Sequence, residues 1–248
     1  MIAHSPLRYP GGKSRAVKQI LEFIPPNIKT ICSPFFGGGS IELALASKGI
    51  NVKGFDVFAP LVNFWQVLLR SPKELSKNVR QLYPMTSSKF YLTQREYKSI
   101  RGRIKQAAAF YALNRASFSG TTLSGGMSPD HPRFTEKGID SLSCFKVDNL
   151  TVDNSDFKDA LRENENEFLY LDPPYMNGKA LYGEKGNAHK HFDHRALFDV
   201  LKKRDGWILS YNDCEKVRRL YDGHRMLTLK WGYGMNNTKR SNELLIFK

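Results

Sequence analysis

Three consecutive glycines between a short apolar segment and a helix-forming one, in TICSPFFGGGSIELALAS (residues 30–47), constrain this chain more than any other feature. Thr30 to Cys32 read as a strand, and Ile41, Leu43, Ala44 and Leu45 give a helix beginning near Ser40 an apolar side to pack. A chain that passes from strand to helix through glycine brings its backbone close to a ligand and points the free N–H groups of the helix start towards it. NVKGFD then reads as the next strand, ending at Asp56 about 20 residues beyond the loop. Strand, helix and strand at this spacing call for a parallel sheet with crossover helices, an α/β architecture of the doubly wound kind. Asp56 stands where a carboxylate takes the ribose diol in dinucleotide-binding units. The glycines are not spaced G-x-G-x-x-G, which disfavours NAD and favours another cofactor built on adenosyl ribose. A turn needed only for packing, and an Asp56 that merely ends its strand, are the plainer alternatives.

The rest of the chain interrupts and then resumes this alternation. A helix is expected from Ser14 to Ile24, where Val17, Ile20, Leu21 and Ile24 recur at helical spacing before Pro25 and Pro26 stop it. From Ser71 to Cys144 basic and aromatic residues dominate and little reads as a central strand. Residues 71–144 are therefore expected as an inserted, mostly helical lobe, and residues 1–70 with 145–248 as the α/β domain. In the second part, strands are expected at FKVDN (145–149), FLYL (168–171), WILSY (207–211), RMLTLK (225–230) and ELLIFK (243–248), and helices at 157–163, 193–204 and 214–221. Only a loop separates the last two strands, so they are expected to pair as an antiparallel hairpin at the sheet edge.

The strand FLYL runs directly into DPPYMNG, residues 172–178. Pro173 and Pro174 have fixed φ and no N–H, so this stiff exit offers carbonyl acceptors beside the carboxylate of Asp172 and the ring of Tyr175. A flipped-out base with an exocyclic amine fits such a set: Asp172 and the Pro173 carbonyl take the two amine hydrogens while Tyr175 stacks on the base. With both hydrogens held in the base plane, the nitrogen lone pair turns towards an electrophilic methyl group, and nucleophilicity rises through orientation and charge placement. The plain alternative is a rigid turn.

At 248 residues and 41% hydrophobic, the chain suffices for one substantial core. Its net charge of +14 favours a polyanionic partner over a merely basic surface without deciding between them. Arg95, Lys98, Arg101, Arg103 and Lys105 read as one strongly positive helix, either tracking phosphates or forming a solvated face. Cys32, Cys144 and Cys214 are widely spaced, with no C-x-x-C pair, and nothing completes a site for His189, His191 and His194; reduced thiols and no metal are expected. Neither a signal-peptide segment nor an apolar run of membrane-spanning length is present, so a cytoplasmic protein with no membrane partner is expected. The loop from Met176 to Phe192 reads as a cover over the base pocket or as an ordinary excursion.

Taken in order, YPGGK, PFFGGGS, Asp56 and DPPY resemble the Dam-type, D12 class DNA adenine methyltransferases, and the resemblance runs from RYPGGKS to SNELLIF, through nearly the whole chain. Glycine loop first, recognition lobe in the middle and DPPY later is that family's alpha arrangement. The resemblance implies a Rossmann-like class I methyltransferase sheet with an inserted target-recognition domain. It implies S-adenosylmethionine as methyl donor, with no metal, and transfer to the N6 amino group of a flipped-out adenine at a specific site in double-stranded DNA. It implies that Tyr9 and Lys13 contact the cofactor, that Phe36, Gly37, Gly38 and Gly39 wrap its methionyl end, and that Asp56 holds its ribose. Asp156 and Phe157 look like the family's DF pair at the cofactor adenine, and Asp172, Pro173, Pro174 and Tyr175 would hold the target base, with Asp172 also beside the cofactor. Tyr9 stands where several relatives carry Trp, and Pro10 is a small variation. FYALNRASFSGTTLSGGMSP (110–129) is similar to the stretch leading into the recognition lobe, which makes Arg115, Ser117 and Ser119, with Arg95 and Arg101, the candidate DNA contacts. A monomer in a bacterial or virus-infected cell, with a cognate restriction endonuclease as a further partner, completes what the resemblance implies. Methylation of cytosine N4 or of RNA adenine, and a catalytically inactive DNA-binding relative, are the alternatives.

Overall fold

The computed structural model describes residues 4–128, 133–176, 192–232 and 240–248. The helices are α1 (Val17–Leu21), α2 (Ser40–Ala46), α3 (Ala59–Arg70), α4 (Pro72–Arg80), α5 (Ser87–Arg95), α6 (Arg103–Ala116), α7 (Glu136–Ser143), α8 (Phe157–Glu163), α9 (His194–Leu201) and α10 (Glu215–Leu220). The strands are β1 (Thr30–Ser33), β2 (Asn51–Asp56), β3 (Leu150–Asn154), β4 (Phe168–Leu171), β5 (Trp207–Asn212), β6 (Arg225–Gly232) and β7 (Arg240–Phe247). They form one seven-stranded sheet in the order β3-β2-β1-β4-β5-β7-β6. β3 through β5 run parallel, and β7 inserts antiparallel between β5 and β6.

This order has one point where the winding reverses. The chain moves outward from β1 to β2 and β3, then returns to lay β4 on the other side of β1. Loops leaving β1 and β4 at that reversal separate and leave a crevice at the carboxyl ends of the strands. The glycine loop follows β1 and the DPPY sequence follows β4, so topology alone brings the two motifs to one crevice.

Period-two alternation divides the strand residues between two faces. Ile31, Tyr170, Ile208 and Leu245 enter one core cluster, whereas Cys32, Leu169, Leu171, Trp207, Leu209, Leu244 and Ile246 enter the other. The second face is covered by α8, α9 and α10 through Ala160, Leu161, Leu197, Leu201 and Val217. The first is covered by α2 and α3, and its core continues into the helices of 71–144 through Leu75, Val79, Ala107 to Leu113, Ile139 and Leu142. Phe64 of α3 and Tyr111 of α6 stack with centroids 5.8 Å apart, and Ser76 Oγ donates to the Ile139 carbonyl at 2.8 Å, tying α4 to α7. Among the described residues no helix is long and apolar enough to cross a membrane.

Three expectations are revised, and a fourth falls outside the described residues. The strand expected at 145–149 is the adjacent one, LTVDN at 150–154: the chain carries VDN twice in succession, and register Val52↔Leu150 and Gly54↔Val152 buries Leu150 and Val152 beside β2. The basic run from Arg95 to Lys105 is not one helix, because α5 ends at Arg95, a single 3₁₀ turn spans Tyr97–Ser99, and Gly102 at φ +96° starts α6 anew. The helix expected over 14–24 is regular only at Val17–Leu21. His189, His191 and most of the Met176–Phe192 loop lie outside the described residues.

Candidate active site

The reversal crevice is a cavity of about 390 Å³ lined by the YPGGK segment, the glycine loop, the ends of β2 and β4, and the start of α8. Its first wall is the loop after β1. Gly37 (φ +49°) and Gly39 (φ +66°) take left-handed conformations open to glycine at little cost. A Cβ on Gly37 or Gly38 would lie 2.8 or 2.7 Å from atoms of Tyr9, and one on Gly39 or Gly54 would lie 2.7 or 2.3 Å from the Phe36 ring. The glycines therefore let two aromatic side chains close on the backbone: Tyr9 lies over the loop, while Phe36 turns inward and is 2% exposed. Phe36 meets Trp65 edge to face at 5.2 Å, and Trp65 Nε1 donates to the Gly37 carbonyl at 3.1 Å.

Asp56 ends β2, and its two oxygens accept from the backbone N–H of Gly37 and of Phe58, each at 2.9 Å. Burial raises its pKa against the pull of these N–H groups. With about four lone-pair sites and three backbone N–H groups, of Gly37, Phe58 and Val57, against it, the carboxylate keeps acceptor capacity for a hydroxyl. Across the cavity Asp156 caps α8, accepting from Lys158 N–H at 2.9 Å, and Phe157 meets Phe35 at 5.8 Å and Phe192 at 5.3 Å. A carboxylate pinned at a strand end, a glycine cradle and this group of three rings suit an adenosyl cofactor: diol to Asp56, purine among the rings.

Asp172 is the first residue beyond β4, followed by buried Pro173 and half-buried Pro174 and Tyr175. Lys13, expected at the cofactor, is 3% exposed and turns its ammonium to Asp172, donating to Oδ1 at 2.7 Å and Oδ2 at 2.8 Å. It also donates to Tyr175 OH at 2.7 Å and lies 3.2 Å from Glu243 Oε1. Burial pushes the Asp172 carboxyl up to about 6; the Lys13 ammonium opposes this and Glu243 adds to it. Glu42 of α2 is also buried, accepts from Ser33 Oγ at 2.6 Å, and is pushed up to about 7, chiefly by burial.

Of the candidate DNA contacts, Arg95 and Arg101 are exposed. Arg115 donates inward, to the carbonyl of Arg133 at 3.0 Å and of Pro6 at 3.3 Å. Ser117 is completely buried; its Oγ donates to Asn114 O at 3.2 Å and accepts from Thr122 N–H at 3.0 Å, so its side chain shapes the turn from within and does not reach the surface. Ser119 is exposed with φ +53°, in a turn that also holds Thr122 at φ +54°. Asn114 fastens this turn to the segment leading into the cavity: it accepts from Arg8 N–H at 2.8 Å and donates to Arg8 O, Gly120 O and Thr122 Oγ1 at 2.9, 3.2 and 3.0 Å. Phe118 stands on the turn 66% exposed.

Sequence reasoning missed Glu243, Glu42, Asn114 and Phe118. For the two glutamates a signal existed, a carboxylate opening the apolar run of ELLIF and one inside IELALA.

A family model described as D12 class N6 adenine-specific DNA methyltransferase matches residues 9–235. The chain is 24% identical over 218 residues to the Type II methyltransferase M1.LlaDCHI of Lactococcus lactis subsp. cremoris, covering 80% of this chain and 76% of that one. It is 21% identical over 250 residues to the Type II methyltransferase M.CviBI of Paramecium bursaria Chlorella virus NC1A, covering 96% and 95%. Identity is 31% over 244 residues to the DNA N-6-adenine-methyltransferase of Escherichia phage P1, covering 86% of this chain and 30% of that protein.

Proposed function

The chain belongs to the D12 class N6 adenine-specific DNA methyltransferase family, and from that premise we propose which of its residues carry the reaction and how. Asp172 and the Pro173 carbonyl accept the hydrogens of the adenine amine, and the Tyr175 ring stacks on the base once it has left the duplex. When bound, S-adenosylmethionine supplies a methyl group made electrophilic by its sulfonium. Asp56 holds the ribose diol, Gly37 to Gly39 admit the methionyl end against the loop, and Phe35, Phe157 and Phe192 enclose the purine; no metal takes part. The Asp172 carboxylate orients the amine so that its lone pair leaves the base plane, and it is the acceptor in contact when the methylated nitrogen sheds a proton.

Residues 71–144 carry target recognition and residues 1–70 with 145–248 carry catalysis. Arg95 and Arg101 contact phosphates, and Ser119 lies on the turn that faces the duplex, whereas Ser117 shapes that turn from within and Arg115 braces the segments at Pro6 and Arg133. Phe118, an exposed ring beside the segment that enters the cavity, is suited to fill the stack vacated by the base. The enzyme acts as a monomer, and a restriction endonuclease reading the same site is its further partner.

The observation that carries this reading is the meeting of Asp172 and Tyr175 with the Asp56 and glycine-loop cradle in one cavity. The test is transfer of labelled methyl from S-adenosylmethionine to unmethylated genomic DNA, with nucleoside analysis, mapping of modified positions and Asp172→Ala alongside. N6-methyladenine at one short motif is expected, lost in Asp172→Ala while cofactor binding persists. Label in cytosine, in RNA alone, or nowhere would sink it.

A further inference from the structure

The reading above uses Asp172 and leaves a second buried carboxylate without a task. Glu243 lies on β7, completely buried, and Oε1 alone collects its described donors: Ser210 Oγ at 2.7 Å, the Tyr175 hydroxyl, and the Lys13 ammonium at 3.2 Å. Oε2 has no hydrogen-bond partner among the described residues. Burying a carboxylate is costly and calls for compensation that a strand built only for packing has no reason to require.

The arrangement around Lys13 suggests what the carboxylate is for. Its ammonium occupies both oxygens of Asp172, the atoms that the base amine needs. An amine approaching Asp172 competes with Lys13 for these oxygens, and a buried ammonium stripped of its counter-ion is strongly disfavoured. Glu243 Oε1 is already within 3.2 Å, so Lys13 can give up Asp172 and remain paired. The Tyr175 hydroxyl accepts from Lys13 and donates to Glu243, which fixes the ring from both sides while the ammonium moves.

We propose that Glu243 is a positioning residue for methyl transfer: it is the second counter-ion to which Lys13 passes as the target amine takes Asp172, and it holds the Tyr175 ring on which the base stacks. The proposal rests on the functional reading above. Among the described residues, the charged and titratable groups around Asp172 are Lys13 from the N-terminal segment, Glu42 from α2, Tyr170 from β4, Tyr175 from the loop after it, Tyr211 from β5 and Glu243 from β7. Neutralising Glu243 removes a charge that raises the Asp172 pKa, so the acid limb of activity moves to lower pH.

The test compares wild type, Glu243→Gln, Tyr175→Phe, their double variant and Asp172→Ala, each as the full chain, for kcat, cofactor Kd, melting temperature and the pH dependence of kcat/KM. Glu243→Gln is expected to lower kcat by ~10-fold or more and keep cofactor Kd within ~2-fold of wild type. Its acid limb is expected at lower pH, and the double variant is expected to be no worse than the poorer single variant, because the two act as a unit. A Glu243→Gln enzyme with wild-type kcat and an unmoved limb overturns the proposal. So does equal loss of kcat and cofactor affinity with an unmoved limb, the mark of a structural strut. If Glu243→Gln does not fold, Tyr175→Phe decides: a fall in kcat at unchanged cofactor Kd supports the link, and unchanged kcat overturns it. An Asp172→Ala enzyme that still turns over would fault the reading of the site itself, whatever Glu243 does.

Discussion

Asp172 and Glu42 are carboxylates whose pKa values rise on folding, to about 6 and about 7, chiefly through burial. A carboxyl raised on folding binds its proton more tightly in the native state. The stability it contributes is fully present below its unfolded value near pH 4 and is lost as pH rises through the folded value. The proposed reaction has the opposite need, because in it Asp172 must be ionised to accept the amine. As pH falls from about 7 to about 4 these two groups therefore add stability to the cofactor-free protein while the proposed activity declines. Glu42→Gln isolates the stability side: it keeps an acceptor for Ser33 and removes the titration. Thermal melts are expected to show the variant more stable than wild type by on the order of 2 kcal/mol near pH 8, with the gap closing towards pH 5. A gap that does not vary with pH would show that Glu42 carries no such burden.

The elements that position the site were legible where they are continuous in sequence. NVKGFD and FLYL are strands with the expected bounds, and Asp156 heads its helix at Phe157, because alternating or unbroken apolar runs and a capping carboxylate are local signals. The third strand was misplaced by one repeat of VDN, since only pairing with β2 selects the second copy. The basic run was misread as a helix because charge says nothing of the break at Gly102. Contacts between distant segments were not legible at all: Lys13 with Glu243, and Asn114 with Arg8. Asn114 has the clearest consequence at this scale, since it ties α6 and the turn at 117–122 to the segment entering the cavity. Asn114→Ala leaves several buried partners unpaired and is expected to cost ~2 kcal/mol of stability. Steady-state kinetics are expected to show KM for DNA raised more than cofactor Kd. Equal effects on both would place its role in the core alone.

Over the whole molecule, a net charge of +14 sits on a protein whose crevice, the proposed cofactor site, is apolar in most of its lining. The two ligands should therefore differ in their response to salt. If about six phosphates are contacted, affinity for DNA falls by ~10³ between about 50 and about 200 mM salt, on a straight line of log affinity against log salt. Cofactor binding over the same range is expected to change little, and calorimetry beside filter binding reads both. A shallow slope for DNA would remove phosphate tracking from Arg95 and Arg101. The topology of the sheet has another consequence. Lys13 and Glu243 come from opposite ends of the sequence, and the strand bearing Glu243 is an interior member of the sheet, paired on both sides. That strand follows β1 and β4 in the chain, so a chain that has already formed its glycine loop and DPPY turn still lacks Glu243 beside Lys13 and Tyr175. The buried ion pair is thereby completed only as β7 takes its place between β5 and β6.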